Sequence, residues 1–362
     1  MKRYLSIMLV VVLCFGLVGC GMSDNIPSNT ANTGAQNAAK QHERDRQSYK
    51  ETLRVYNATE YIDTSTIVDF EKEYKIRVEY AEFDSNEAMH KDISNNPNSY
   101  DVLVPSDYMV DRLIKEGKIL KLDKTKVVNI SNVAPEYLSP AYDPNNEYTV
   151  PYMVGTVGIL YNKKKVSEPI DNWSALFSTQ YRGKVLLWDS QRDVIGATLK
   201  MLGYSMNSKD DKELSEAQSK LLSIQSSVQY GNEEICDKMV AGEGVLALVY
   251  SGEAKLAMDQ NSNLAYCIPK EGSNKWVDGF VIMKNTKVKD AAEKFINFMC
   301  RPNIAIRNMT QIGYTSPIKG AWAEFGNNKV MFPTTEELAR CEAFLYDAAA
   351  TQKYDSMWRK VK

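Results

Sequence analysis

Between Leu53 and Val104, short β-forming segments alternate with apolar residues at helical spacing, and this constrains the fold more than any other feature of the chain. Leu53–Ala58 is expected as a strand. Over Thr64–Tyr74 the residues Ile67, Phe70 and Tyr74 recur at helical intervals, with Asp63 or Ser65 available as N-cap. Ile76–Phe83 alternates as a strand, and Glu87–Ile93 reads as a short helix. Val102–Val104 is an apolar strand ending at Pro105-Ser106, and Met109–Lys115 a helix that Gly117 can stop. The order β-α-β-α-β implies a mostly parallel sheet with helices on its faces.

Tyr148–Lys165 breaks that rhythm with a long β-rich stretch containing Pro151, Gly155 and Gly158. A second series follows, with strands expected at Val185–Trp188 and Val245–Val249 and helices at Asp193–Leu202, Lys212–Ser226 and Glu234–Val240. Trp276–Met283 could return the chain to the first unit. Two α/β lobes joined by more than one strand make a hinge with a cleft between them, and ligands of such sheets bind beyond the carboxyl ends of the strands.

The chain has 362 residues with 25% charged side chains and a net charge of -2, which leaves no electrostatic footprint for nucleic acid. It holds 21 Tyr but only 2 His, so serine-histidine chemistry and His-ligated metals have little to draw on. Cys236, Cys267, Cys300 and Cys341 fit no zinc spacing and read as small buried hydrophobes, their redox state left open. No cofactor and no metal site are expected.

The N-terminus indicates export. Lys2 and Arg3 precede the apolar run Leu5–Val18, too short for a stable span of about 20 residues, which ends at Gly19-Cys20. Leu17-Val18-Gly19-Cys20 looks like a bacterial lipobox, which implies cleavage before Cys20 and acylation of its sulfur. From Gly21 to about Tyr49, small polar residues and the charged stretch His42–Arg46 show no apolar periodicity and read as a disordered tether. The expected organisation is a signal peptide at 1–19 and the lipidated Cys20 with tether at 20–50. Residues 51–152 with 277–322 then form one lobe, and 153–276 with 323–362 the other.

The expected strand ends carry a consistent set of residues. Asn57–Tyr61 follows the first strand and Ser106-Asp107-Tyr108 the third. Asp189–Asp193 and Tyr250-Ser251-Gly252 follow strands of the second series, Trp276-Val277-Asp278 lies on the return segment, and Gly313-Tyr314 follows a late helix. Nearly every one offers an aromatic ring, an acid or both, and the sole Arg is Arg192. Ring faces attract ammonium groups and carboxylates accept their N–H donors, so such a pocket suits an organic cation.

Several segments carry a family resemblance: Tyr56-Asn57-x-Thr59-Glu60-Tyr61, Tyr100–Ser106, Asp143-Pro144-Asn145-Asn146, Arg192-Asp193-Val194, Leu202–Ser205, Trp276-Val277-Asp278 and Ile312-Gly313-Tyr314-Thr315-x-Pro317. In this order, from about residue 52 to the C-terminus, the chain resembles the spermidine/putrescine-binding proteins of polyamine ABC importers. The resemblance implies a two-lobed periplasmic-binding-protein fold of type II-like form that closes over a polyamine and docks on a permease. It also implies a monomer without catalytic activity, lipid-anchored at the outer face of the bacterial cell membrane. Carried over position by position, it implies ligand contacts from Thr59, Glu60 and Tyr61, from Ser106 and Tyr108, from Asp193, Tyr250 and Trp276, and from Tyr314, with Asp278 as the central carboxylate. Ala58 stands where the family typically has Trp, and Ser190 where some members have a second Asp. A Gln wall position falls near Phe344. Another small organic cation is an alternative ligand. A hydrolase using paired acids such as Glu60 and Asp193 is an alternative of a different class.

Overall fold

The computed structural model describes residues 41–232 and 234–362. The signal peptide, Cys20 and most of the tether lie outside the described residues. Where the tether reading reaches them it needs correction, because residues 41–46 are helical. Arg46 is already tied to the folded part, its Nε donating to Glu71 at 2.9 Å and its guanidinium to the Val78 carbonyl at 3.1 Å.

The alternation read from the sequence is present with small shifts of boundary. The strands are β1 (Glu51–Ala58), β2 (Ile76–Phe83), β3 (Val102–Leu103), β4 (Ile119–Leu120), β5 (Thr149–Asn162), β6 (Val185–Trp188), β7 (Val228–Gly231), β8 (Leu246–Tyr250), β9 (Leu264–Cys267) and β10 (Lys275–Met283). The α-helices are α1 (Thr64–Tyr74), α2 (Asn86–Asn95), α3 (Asp107–Lys115), α4 (Gln191–Met201), α5 (Asp211–Ile224), α6 (Glu234–Val240), α7 (Ser251–Gln260), α8 (Lys289–Met299), α9 (Pro302–Ile312), α10 (Thr335–Ala339) and α11 (Ala348–Val361). Local chemistry sets the ends. Asp63 caps α1 through the Ser65 amide, Ser85 caps α2 through the Ala88 amide, and Gly117 adopts φ +63° just after α3.

The strands run β2-β1-β3-β10-β5-β8-β6-β7, with β4 beside β10 and β9 beside β5. β1 is parallel to β2 and β3, and β6 to β7 and β8, as βαβ connections require. β5 and β10 supply the antiparallel centre. β5 pairs with β10 from Thr149 to Thr156 and with β8 from Val157 to Tyr161, so one 14-residue strand belongs to both lobes. The protein is thus a two-lobed α/β fold of the periplasmic-binding type, with a cleft where the shared strands cross.

Each lobe has its own core. Leu53, Val55, Phe70, Phe280 and Phe295 fill one side of the first sheet, and Met89, Ile93, Leu103 and Met109 the other. In the second lobe, Trp173, Ile195, Leu221 and Leu248 pack on one side, and Leu160, Ile235, Met239 and Val249 on the other. The C-terminal segment divides between them. Met331 lies in the first core with Phe325 and Phe332 against it, whereas Tyr354, Met357 and Val361 of α11 fill the second. The chain therefore leaves the first lobe after residue 332, later than the expected boundary at 322. The four described cysteines are free. Cys236, Cys300 and Cys341 are buried and Cys267 is partly so.

Candidate functional site

A cleft of about 960 Å³ opens at the ends of β1, β3, β6 and β8, and all ten candidate residues line it. Asp278 lines it at the point where β10 shifts register between Asp278 and Gly279, opposite Pro151, which has no N–H to give the ladder. The strand bonds instead to the loop after β3: the Gly279 amide donates to the Pro105 carbonyl at 3.0 Å, and Ser106 pairs with Asp278. Tyr61 Oη donates to Asp278 Oδ2 at 2.8 Å. The other carboxylate oxygen, Oδ1, is buried and has no hydrogen-bond partner among the described residues. Burial pushes the Asp278 carboxyl up to about 6, although the neighbouring Ser106 hydroxyl and the Tyr61 donor favour its ionised form.

Aromatic rings surround this carboxylate edge to face. Tyr61 meets Tyr152 at 5.7 Å and Tyr314 at 5.6 Å. Tyr314 meets Trp276 at 5.1 Å, Trp276 meets Tyr250 at 6.4 Å, and Tyr250 meets Trp188 at 5.3 Å. The row runs from one lobe to the other. Two glycines let it sit low, since a Cβ on Gly155 would strike the Trp276 indole and one on Gly252 the Tyr314 ring. The Tyr61 carbonyl is fixed from below by Tyr152 Oη at 2.9 Å and Asn57 Nδ2 at 3.1 Å.

On the second lobe, the loop after β6 starts α4 with Ser190 as N-cap and Asp193 in the first turn. Asp193 is buried and held by three protein donors, with accepting capacity left on Oδ1. Its Oδ2 accepts from Ser190 Oγ at 2.6 Å and Tyr250 Oη at 2.7 Å, and its Oδ1 from Asn274 Nδ2 at 3.3 Å. Burial raises its pKa against the pull of these donors. At the mouth, Glu60 adopts φ 54° and its amide donates to Glu82 Oε1 at 3.1 Å. Thr59 Oγ1 donates to the Phe83 carbonyl at 3.3 Å, and Tyr108 Oη to Glu87 at 2.9 Å. Ser106 is held by reciprocal bonds with Asn86, each 3.0 Å long.

Two residues of the cleft wall are not among the ligand contacts that the resemblance implies, although Asp107 stands in the strand-end set. Asp107, only 5% exposed, presents a second carboxylate beside Asp278. Asn274 orients Asp193 from a stretch with no predicted element. Both neighbour residues that were singled out, and only the folded backbone turns them inward. Arg192 is the sole Lys or Arg among the described lining residues, against ten carboxylates. Its guanidinium is stacked by Phe344 at 4.6 Å, Tyr354 at 5.0 Å and Tyr108 at 5.7 Å, and it donates to the Leu345 carbonyl at 3.2 Å.

Residues 65–333 match the bacterial extracellular solute-binding proteins. The chain belongs to that family. Over 318 residues it is 35% identical to the spermidine/putrescine-binding periplasmic protein of Escherichia coli, covering 86% of this chain and 91% of that one. Among solved structures it is similar to PotD, the spermidine/putrescine ABC transporter substrate-binding protein of Streptococcus pneumoniae. The TM-score is 0.76 at 35% identity, covering 86% of this chain and 98% of that one. The Tp0655 lipoprotein of Treponema pallidum gives a TM-score of 0.78 at 28% identity, over 86% and 99%. The Escherichia coli and Streptococcus pneumoniae relatives are binding proteins, and this member of the solute-binding family is a binding protein rather than an enzyme. That removes the hydrolase alternative at Glu60 and Asp193. No helix among the described residues is long and apolar enough to cross a membrane.

Proposed function

We propose that this solute-binding protein captures a polyamine of the spermidine/putrescine class and delivers it, as a monomer, to the permease of an ABC importer. The observation that carries the reading is Asp278 Oδ1, a buried carboxylate oxygen without a hydrogen-bond partner among the described residues, in a cleft lined by Tyr61, Trp276, Tyr250 and Tyr314. An ammonium group donating to that oxygen would satisfy it and neutralise the buried charge. The rings would cover the methylene chain and add cation–π attraction of about 0.5–2 kcal/mol per desolvated contact. Glu60 and Asp193 lie along the same cleft for the remaining amines, and closure of the lobes excludes water and strengthens each ion pair. The names of the relatives support this ligand class.

Anchoring through acylated Cys20 belongs to the same proposal, supported by the lipobox-like segment and by the treponemal relative's description as a lipoprotein. Mass spectrometry of the membrane-extracted protein tests it, since an unmodified Cys20 would sink it. Isothermal titration with putrescine, spermidine and spermine tests the ligand class, and no binding heat with any of the three would overturn it. Ala58 favours a second reading, a bulkier organic cation, because its small side chain lines the cleft where a ring would narrow it. A thermal-shift screen of cationic ligands separates the two.

A further inference from the structure

Asp107 opens α3 and is buried at the floor of the cleft. One carboxylate oxygen, Oδ1, accepts the Tyr108 amide at 2.7 Å. The other, Oδ2, has only a long bond of 3.4 Å from the Val277 amide. That amide belongs to the residue before Asp278, and Ser106, the residue before Asp107, pairs with Asp278 across the same bridge. Two carboxylates are therefore built side by side from two separate elements. Each keeps an oxygen with spare accepting capacity, and Asp278 Oδ1 has no partner among the described residues. Among the described residues neither forms a salt bridge to Lys or Arg, although the Arg192 charge acts on Asp107 from α4. A primary ammonium carries three N–H donors, more than a single carboxylate oxygen can accept.

We propose that Asp107 is a second ligand-binding carboxylate that acts with Asp278 on one primary ammonium and makes this end of the cleft select primary over N-alkylated amines. The proposal rests on the polyamine reading and assigns one end of the ligand within it. The groups facing Asp107 are Asp278 on β10, Arg192 on α4 and Tyr142 on the loop before β5. Burial, with the Asp278 charge adding to it, pushes the Asp107 carboxyl up to about 7, while the Tyr108 amide and Arg192 oppose the rise. A bound ammonium favours the ionised form, so ligand binding near neutral pH must expel a proton.

The test is calorimetry at neutral pH, in buffers of different ionisation enthalpy, with putrescine and its N,N,N′,N′-tetramethyl derivative. The parent, D107N, D278N and the double variant are compared, with D107S as a second replacement and thermal melts as the fold control. The parent is expected to bind putrescine with proton release and the tetramethyl compound at least tenfold more weakly. D107N and D107S are expected to lose roughly tenfold or more in putrescine affinity together with most of the proton release. The double variant should lose less than the product of the two single losses. D107N binding putrescine as the parent does, with equal proton release, would overturn the assignment. A parent that binds no polyamine would instead overturn the reading beneath it.

Discussion

Tyr61 Oη donates to Asp278 Oδ2 at 2.8 Å, while the Tyr61 carbonyl accepts from Tyr152 Oη and Asn57 Nδ2. The tyrosine thus fixes the direction in which Asp278 presents its second oxygen to the cleft. Tyr61→Phe keeps the ring and removes that donor. The hydrogen bond favours the carboxylate, so its loss moves the Asp278 pKa further above about 6. The acid limb of a polyamine affinity–pH profile should then shift to higher pH. At neutral pH the affinity should fall by about tenfold. A profile superimposable on the parent's would show that Tyr61 does not orient the carboxylate.

The same carboxylates set a stability cost in the ligand-free protein. Asp107 at about 7 and Asp278 at about 6 are both raised above the unfolded value near 4, so the folded state holds protons more tightly. Their contribution is fully present below about pH 4 and is lost as pH rises through 6 to 7. Asp107→Asn should therefore raise the ligand-free Tm at pH 8 relative to the parent, by a free energy on the order of 2–4 kcal/mol, and have little effect near pH 4. Differential scanning fluorimetry across that range checks the sign. A Tm gain at pH 4 that vanishes at pH 8 would contradict it.

Ser190 does two things for Asp193. It caps α4 and donates to Asp193 Oδ2 at 2.6 Å. Ser190→Ala leaves the buried carboxylate with Tyr250 and Asn274 alone, which should destabilise the protein by about 1–3 kcal/mol. Asp193 should also protonate at higher pH. Chemical denaturation measured at pH 5 and pH 8 would reveal both effects, the larger loss falling at pH 8, where the carboxylate is ionised.

Much of this arrangement was legible before folding because strand ends and apolar periodicity are local. Thr64–Tyr74, Ile76–Phe83 and Val185–Trp188 were read with the bounds they have in the structure. The rule that ligands sit beyond strand ends brought Tyr61, after β1, and Tyr250, at the end of β8, into one cleft. β7 and β9, each four residues long, were not read, because their pairing depends on β6 and β5 supplying a ready edge. Asp107 stood in the strand-end set Ser106-Asp107-Tyr108 but received no ligand contact from the resemblance. In a sequence it is an ordinary first-turn acid of α3, which usually faces water, and only the Val277 amide and the bulge in β10 turn it inward. The division of residues 323–362 between two cores was equally hidden, since nothing in the local pattern distinguishes Met331 from Met357.

Ala58 ends β1 and lines the cleft beside Thr59 and Glu60, packed against both cores of the first lobe. Its small side chain adds no ring at that end of a cleft of about 960 Å³, where Phe83 on the paired strand β2 and Tyr61 are the nearby rings. Ala58→Trp would add one, with two opposed effects on a polyamine. A short diamine seated near Asp278 would gain apolar cover and cation–π contact worth about 0.5–2 kcal/mol, or roughly two- to thirtyfold in affinity. A longer polyamine reaching past residue 58 would lose the space its chain occupies. The ratio of putrescine to spermine affinity should therefore rise in the variant by about tenfold. Titration of both ligands into parent and variant measures that ratio directly. An unchanged ratio would mean that the ligand does not extend toward β1.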